Sequence, residues 1–289
     1  MEVEFVGRTS CGMPVYHDKE AAAADWFVPV NRIKPHTCFE GPIESGLAKM
    51  AVVGFGKQAG AQALHSYGSA RMGVNLIEGF ALLRATGRVL GGVSTIEAAS
   101  GSVVRIEALT AEEIGGDHEM GLLQYAEGLL PQLPFDEIDV LVVEKIGKDI
   151  SGVGIDPNVS GRFWVNGVAD RERPRVTNIV VLGITDVSHG NALGIGLADF
   201  TTVAVVESID WRNTWINCFT AGPAGVRRAK MPMALPTERD AIMAAIAMCG
   251  RGATESVRMV RIESTLHLTS MQVSENLLAE LPVGARIVR

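Results

Sequence analysis

Residues 138–143 read IDVLVV, a nearly unbroken run of apolar and β-branched side chains four residues after Pro134. Such a run without alternation suits a strand buried on both faces, as in a parallel sheet. Similar runs at 178–182, 3–6, 26–30, 50–53, 103–106 and 202–206 read as further strands, each ending at a polar or glycine signal. Helical spacing of apolar residues appears at 60–64, 76–86, 120–130, 239–248 and 274–281. Strands alternating with helices predict an α/β fold, with two α/β domains of mainly parallel sheet flanked by helices. The prolines in PQLPFDE, residues 131–137, interrupt a helix ahead of IDVLVV, so the domain boundary is set there: 1–133 and 134–289. The chain opens directly on an extended segment, EVEFVG, with no helix before it to cover it. The first domain therefore reads as incomplete.

Composition narrows the function. The 289 residues are 47% hydrophobic and 20% charged, ordinary globular material rather than a solvated tail. A net charge of −7 without any Lys/Arg block argues against nucleic acid and points to a small-molecule partner. Cys11, Cys38, Cys218 and Cys249 form no C-x-x-C pair, so neither a zinc ribbon nor a secreted disulfide framework has support. The N-terminus lacks an apolar signal region and no apolar run is long enough to span a bilayer. A soluble protein of the reducing cytoplasm is expected, with no membrane partner and with homo-oligomerisation left open.

The densest polar cluster is VNRIKPHTCFEGPIESGLAKMAVVGFGKQAGAQALH, residues 30–65. A strand ending near Asn31 leads into a Lys34-Pro35-His36 turn, and strand ends of α/β sheets are where ligands collect. His36 is a site residue or a turn histidine. Lys49 stands among small and apolar residues. Desolvation there would lower its pKa and make it a nucleophile or attachment point; otherwise it is a snorkelling lysine. Gly54, Gly56 and Ala59 match a relaxed dinucleotide turn, with Lys57 adding charge for a phosphate, unless the glycines serve packing alone. His65 is a ligand or a packed helix histidine. Two later loops, EKIGKDISGVGIDPNVSGR (144–162) and ITDVSHGNALGIGLADFTT (184–202), follow strands; the first presents Lys148, Asp149, Asp156, Asn158 and Arg162, the second Asp186, His189, Asn191 and Asp199. They offer one shared crevice or plain Asp/Asn/Gly turn chemistry.

Taken together, residues 30–65, both later loops and the closing RIESTLHLTSMQVSENLL (261–278) resemble the nickel-dependent lactate racemase family, in a divergent branch of lactate-racemase-domain proteins. The resemblance covers nearly the whole chain. It implies a nickel-pincer nucleotide, a pyridinium mononucleotide with two sulfur arms, whose nickel is held by a ring carbon, the two sulfurs and one histidine. By resemblance Lys49 is the covalent tether, His65 the nickel ligand, and His36 one of two acid/base histidines. Gly54, Gly56 and Lys57 fall on the cofactor side. Lys148 and Arg162 are candidates to clamp a substrate carboxylate, with Asp156 and Asn158 beside them and His189 as a substitute base. The implied activity is racemisation or epimerisation of a lactate-like 2-hydroxy acid by hydride transfer.

Two departures accompany the resemblance. The interval from His36 to Lys49 is a few residues longer than the family's, and the family's upstream portion, with a Gly-Ser/Thr-His signature and the other catalytic histidine, has no counterpart here. Whether the chain alone is active therefore stays open. The rival readings are a non-catalytic or incomplete cofactor- or metabolite-binding module that needs the missing segment or a partner chain, and a nicotinamide-dependent oxidoreductase using residues 54–59.

Overall fold

The structure is a computed structural model that describes residues 2–288. Two compact units emerge: Met1–Leu130 with Val165–Val168 and Thr220–Pro223 form the first, and the remaining segments from Pro131 to Arg289 form the second.

In the first unit, β1 (Val3–Arg8) and β2 (Pro14–Asp18) form an antiparallel hairpin. Asp18 then caps the single turn α1 (Lys19–Ala23), its carboxylate accepting the N–H groups of Glu20 and Ala21. β3 (Val30–Arg32) runs parallel to β4 (Gly91–Glu97), which pairs antiparallel with β5 (Val103–Thr110). Four helices pack on these sheets: α2 (Gly46–Lys49), α3 (Lys57–Ser66), α4 (Met72–Arg84) and α5 (Asp117–Glu127). Their core is built on Met13, Val15, Leu47, Val52, Leu76, Phe80, Leu83, Ile96 and Leu122. The opening strand touches one helix, although none of its residues is buried. Gly7 of β1 lies against Leu82 of α4, where an added Cβ would stand 3.4 Å from its Cδ2.

The second unit holds a six-stranded sheet in the order β11-β10-β6-β7-β8-β9: β6 (Glu137–Val143), β7 (Arg175–Val181), β8 (Phe200–Thr202), β9 (Met233–Leu235), β10 (Met259–Ile262) and β11 (Met271–Val273). All neighbours are parallel except β10 and β11. The IDVLVV run is buried throughout β6 because both faces are covered. Val140 and Val142 meet Ala241 and Ala245 of α10 (Glu238–Ala247) on one face; Leu141 and Val143 join Ile155, Ile195 and Leu197 on the other. The remaining helices are α6 (Pro157–Ser160), α7 (Val203–Glu207), α8 (Trp211–Thr220) and α9 (Pro223–Arg228). Among the described residues no helix is long and apolar enough to cross a membrane.

Four expected elements differ. Residues 26–30 are not a strand: Phe27 makes an isolated bridge to Val89, and only Val30 belongs to β3. Residues 50–53 are not a strand but part of a π-helical turn, Met50–Gly54, closed by the Phe55 N–H donating to the Met50 carbonyl (2.9 Å). Of 202–206, only Thr202 is strand, because its hydroxyl caps Val205 N and starts α7. Residues 275–280 form a 3-10 helix. The parallel sheet is confined to the second unit, whereas two of the first unit's three named pairings are antiparallel.

The contrast between buried β6 and the solvent edge of β5 is testable by chemical denaturation. Leu141 is fully buried, so Leu141→Ala is expected to cost about 2–5 kcal/mol. Val104 is 48% exposed, and Val104→Ala should stay within about 0.5 kcal/mol. Equal losses at the two positions would contradict the assigned layers.

Candidate functional site

The polar cluster of residues 30–65 is organised by a sharp reversal. After the π-helical turn the chain folds back so that Gly60 of α3 presses on Val52, eight residues earlier. A Cβ at Gly60 would stand 2.7 Å from the Val52 carbonyl oxygen, and one at Gly56 only 2.2 Å from it. Neither position therefore accepts a side chain without backbone movement. Lys49 lies one turn before this crossing and His65 little more than one turn after it.

Lys49 ends α2, whose start is held by a buried carboxylate. Glu119 of α5 accepts the N–H groups of Leu47, Ala48 (3.3 Å) and Gly115 (2.8 Å), and its side chain stands where a Cβ on Gly46 would fall. An acceptor at a helix N-terminus satisfies otherwise orphaned donors. Burial nonetheless pushes the Glu119 carboxyl above its ordinary pKa. A second buried acid, Glu44, does the same for the His36 loop, accepting His36 N–H (2.7 Å) and Gly41 N–H (2.9 Å). Its carboxyl is likewise raised by burial. Nothing local in the sequence marks these two acids as interior, and sequence reasoning missed both.

The loop carrying His36 borders Lys49. Burial is the main cause holding the Lys49 ammonium below the ordinary lysine pKa; the Lys34 charge adds to it and Cys38 opposes it. The Lys49 amine makes no hydrogen bond or ion pair among the described residues. His65 is held below its ordinary value first by burial and then by the positive charge of Lys49. Its Nδ1 is buried without a hydrogen-bond partner among the described residues. The segment around Gly222, at φ 67°, closes over it, with a Cβ there falling 3.3 Å from the His65 Cβ. In the His36 ring, Nδ1 accepts the Cys38 N–H (3.1 Å), which puts the proton of the neutral ring on Nε2; the ring packs on Phe39 at 4.6 Å between centroids. His36, Lys49 and His65 all lie in the first unit.

The remaining expectations fare differently. With no strand before Gly54, residues 54–59 lack the strand–turn–helix setting of a dinucleotide turn, and Gly56 serves the close approach to Val52. A Cβ at Gly54 would fall 2.1 Å from Met50 Sδ. Lys57 pairs with Asp18 at 3.1 Å. In the second unit the loops after β6 and β7 do meet: Lys148 N–H donates to Ser188 Oγ (2.8 Å) and Thr185 Oγ1 to Asp149 Oδ1 (2.5 Å). Lys148 is exposed with Nζ on the Gly152 carbonyl (2.6 Å), and His189 is exposed at φ 48°. Arg162 corrects its expected place in a carboxylate clamp. It is buried, and its guanidinium donates to Asp199 Oδ2 (2.6 Å) and to the carbonyls of Leu197, Val176 and Thr177, so it fastens the fold. Asp156 and Asn158 are also engaged structurally: Asp156 caps α6 through Asn158 N–H (2.9 Å), and Asn158 Oδ1 accepts from Arg171 (2.9 Å). Turn chemistry replaces the substrate contact expected of them.

A separate open groove of about 600 Å³ near the start of β6 and β7 is lined by Asp136, Glu137, Glu172, Arg173, Arg175, Arg258 and Glu280. It is no rival for an anion, because Arg173 pairs with Asp136, Arg175 with Glu137 and Arg258 with Glu280.

No known family model and no curated protein matches the chain. Among solved structures, it is similar to the lactate racemase apoprotein from Thermoanaerobacterium thermosaccharolyticum, with a TM-score of 0.52 and 11% sequence identity over 92% of this chain and 67% of that one. The fold is lactate-racemase-like.

The electrostatic coupling within the site has a defined sign. Because burial first and the Lys49 charge second disfavour the imidazolium, His65 should titrate below 6.5 by NMR, and Lys49→Met should move the midpoint upward. An unchanged midpoint in the variant would separate the two side chains. Folding favours the neutral His65, so its contribution to stability is present above 6.5 and is lost as pH falls through that value towards the folded midpoint.

Proposed function

We propose that the first unit tethers a nickel-pincer nucleotide at Lys49 and serves the racemisation or epimerisation of a lactate-like 2-hydroxy acid. The observation that carries this reading is the pairing of an unpartnered amine with a neutral imidazole whose buried Nδ1 has no hydrogen-bond partner among the described residues. An amine kept partly neutral by burial is a nucleophile at lower pH than a solvated lysine, as covalent attachment requires. A buried imidazole that stays unprotonated offers a lone pair, as metal ligation requires. Among the described residues no three His, Cys, Asp or Glu side chains gather to chelate a metal. His65 would therefore be one donor in a set completed by the tethered group. The residues fit that group.

When bound, such a group supplies a reversible hydride acceptor, which no side chain provides. The chain's own work is to hold and move protons around it. His36 is proposed as the acid/base residue at the substrate hydroxyl. With Nδ1 accepting the Cys38 N–H, its neutral ring begins as a donor through Nε2. To act as a base at Nε2 the ring must carry its proton on Nδ1, so the Cys38 hydrogen bond has to break. The Glu44 carboxylate keeps the surrounding loop in place during that exchange. Partial burial limits water at the site, which strengthens each of these interactions.

Co-expression with the enzymes that make the nucleotide tests the reading. Intact mass and peptide mapping should find a covalent adduct on Lys49 with nickel bound, both lost in Lys49→Arg, whereas His65→Ala should lose nickel and keep the adduct. An unmodified Lys49 under these conditions contradicts it. An adduct without lactate racemisation would instead favour the binding-module reading.

A further inference from the structure

We propose that Cys11 is a peroxide-reactive thiol whose oxidised, sulfenate form is held by the side-chain amide of Asn75. The proposal is independent of the tethered nucleotide. Cys11 sits in the β1–β2 turn and is partly exposed, whereas Cys38, Cys218 and Cys249 are buried. Its Sγ donates to Asn75 Oδ1 at 3.1 Å and lies 3.3 Å from Thr9 Oγ1. Asn75, on α4, is completely buried, yet its Nδ2 has no partner among the described residues. A buried amide donor left unpaired is destabilising, and here it belongs to the same amide that touches the sulfur. Rotating that amide half a turn would aim Nδ2–H at the sulfur. Such a donor suits an anion there, a thiolate or a sulfenate oxygen, and does nothing for a neutral thiol.

The charges around the turn favour the anion. Arg71 adds positive potential that helps lower the thiol's pKa, and Arg8 closes the turn by donating to the Gly12 carbonyl (2.8 Å). Glu78 is the acid of this corner, and its carboxylate is occupied by Ser10 N–H and Ser10 Oγ, each at 2.7 Å. The Thr9 hydrogen bond is the first cause holding the thiol below its ordinary value. In the reaction the thiolate sulfur attacks one oxygen of hydrogen peroxide and the O–O bond breaks. An S–O bond forms as hydroxide leaves, and the hydroxide takes the proton of the new sulfenic acid, giving sulfenate and water; sulfur is oxidised by two electrons and the peroxide is reduced by two.

The test treats the full chain with dilute hydrogen peroxide in the presence of dimedone and maps the labelled peptides. Labelling should appear at Cys11 well ahead of the three buried cysteines and vanish in Cys11→Ser. Asn75→Asp, which loses the donor at equal size, should slow labelling about tenfold, the effect of one pKa unit. Arg71→Gln, an exposed change, should slow it by a smaller factor. Labelling of Cys11 no faster than of Cys38, or a folded Asn75→Asp that labels at the parent rate, would overturn the proposal. If Asn75→Asp fails to fold, the pH dependence of iodoacetamide alkylation decides: a Cys11 midpoint below the ordinary thiol value of about 8.5 in the parent supports the proposal and one at or above it rejects it.

Discussion

The contact between Gly60 and the Val52 carbonyl is the constraint on which the candidate site depends. At that point the backbone crosses itself with no room for a side chain, and a Cβ would intrude to 2.7 Å. The reversal is what lets two residues sixteen apart in sequence act on one another electrostatically. A straight helix over the same interval would separate Lys49 and His65 by roughly 24 Å, far beyond the Debye length of about 8 Å in physiological salt. Folded back, they share a poorly solvated space in which the Lys49 charge adds to burial in making His65 harder to protonate.

Such a space is costly to build, and the structure meets the cost with carboxylates rather than with counter-charges to Lys49. Glu119 takes the orphan N–H groups at the start of the lysine's helix, and Glu44 takes those of the His36 loop. Both acids are almost entirely buried and neither pairs with the amine. The polar framework thereby fixes the backbone while leaving the lysine and the imidazole open to reaction. This division between groups that hold and groups that react links the packing of α2, α3 and α5 to the function proposed.

Much of the architecture was legible because hydrophobic runs announce it. IDVLVV read as a strand covered on both faces and is one, since Ala241 and Ala245 close one side and a branched aliphatic cluster the other. The MAVV segment at 50–53 was misread for the same reason: four apolar residues carry no period that distinguishes strand from helix. Its helical state rests on Glu119, some seventy residues away, and on the glycines that follow. Lys49 and His65 could be singled out from their setting, but the buried acids could not, because nothing in EGPIES or DHEMG indicates which carboxylate turns inward. Arg162 failed as a clamp for the mirror-image reason. Its partner Asp199 lies thirty-seven residues on, and only the fold brings the two to 2.6 Å.

The most direct measurement of the central claim is the titration of the Lys49 amine itself, by reductive ¹³C-methylation and NMR, with the resonance assigned by its loss in Lys49→Arg. The account predicts a midpoint clearly below the ordinary lysine value of 10.5. A midpoint at or above 10.5 would place the amine in open water or beside an anion, and the site built on the Val52–Gly60 crossing would be wrong.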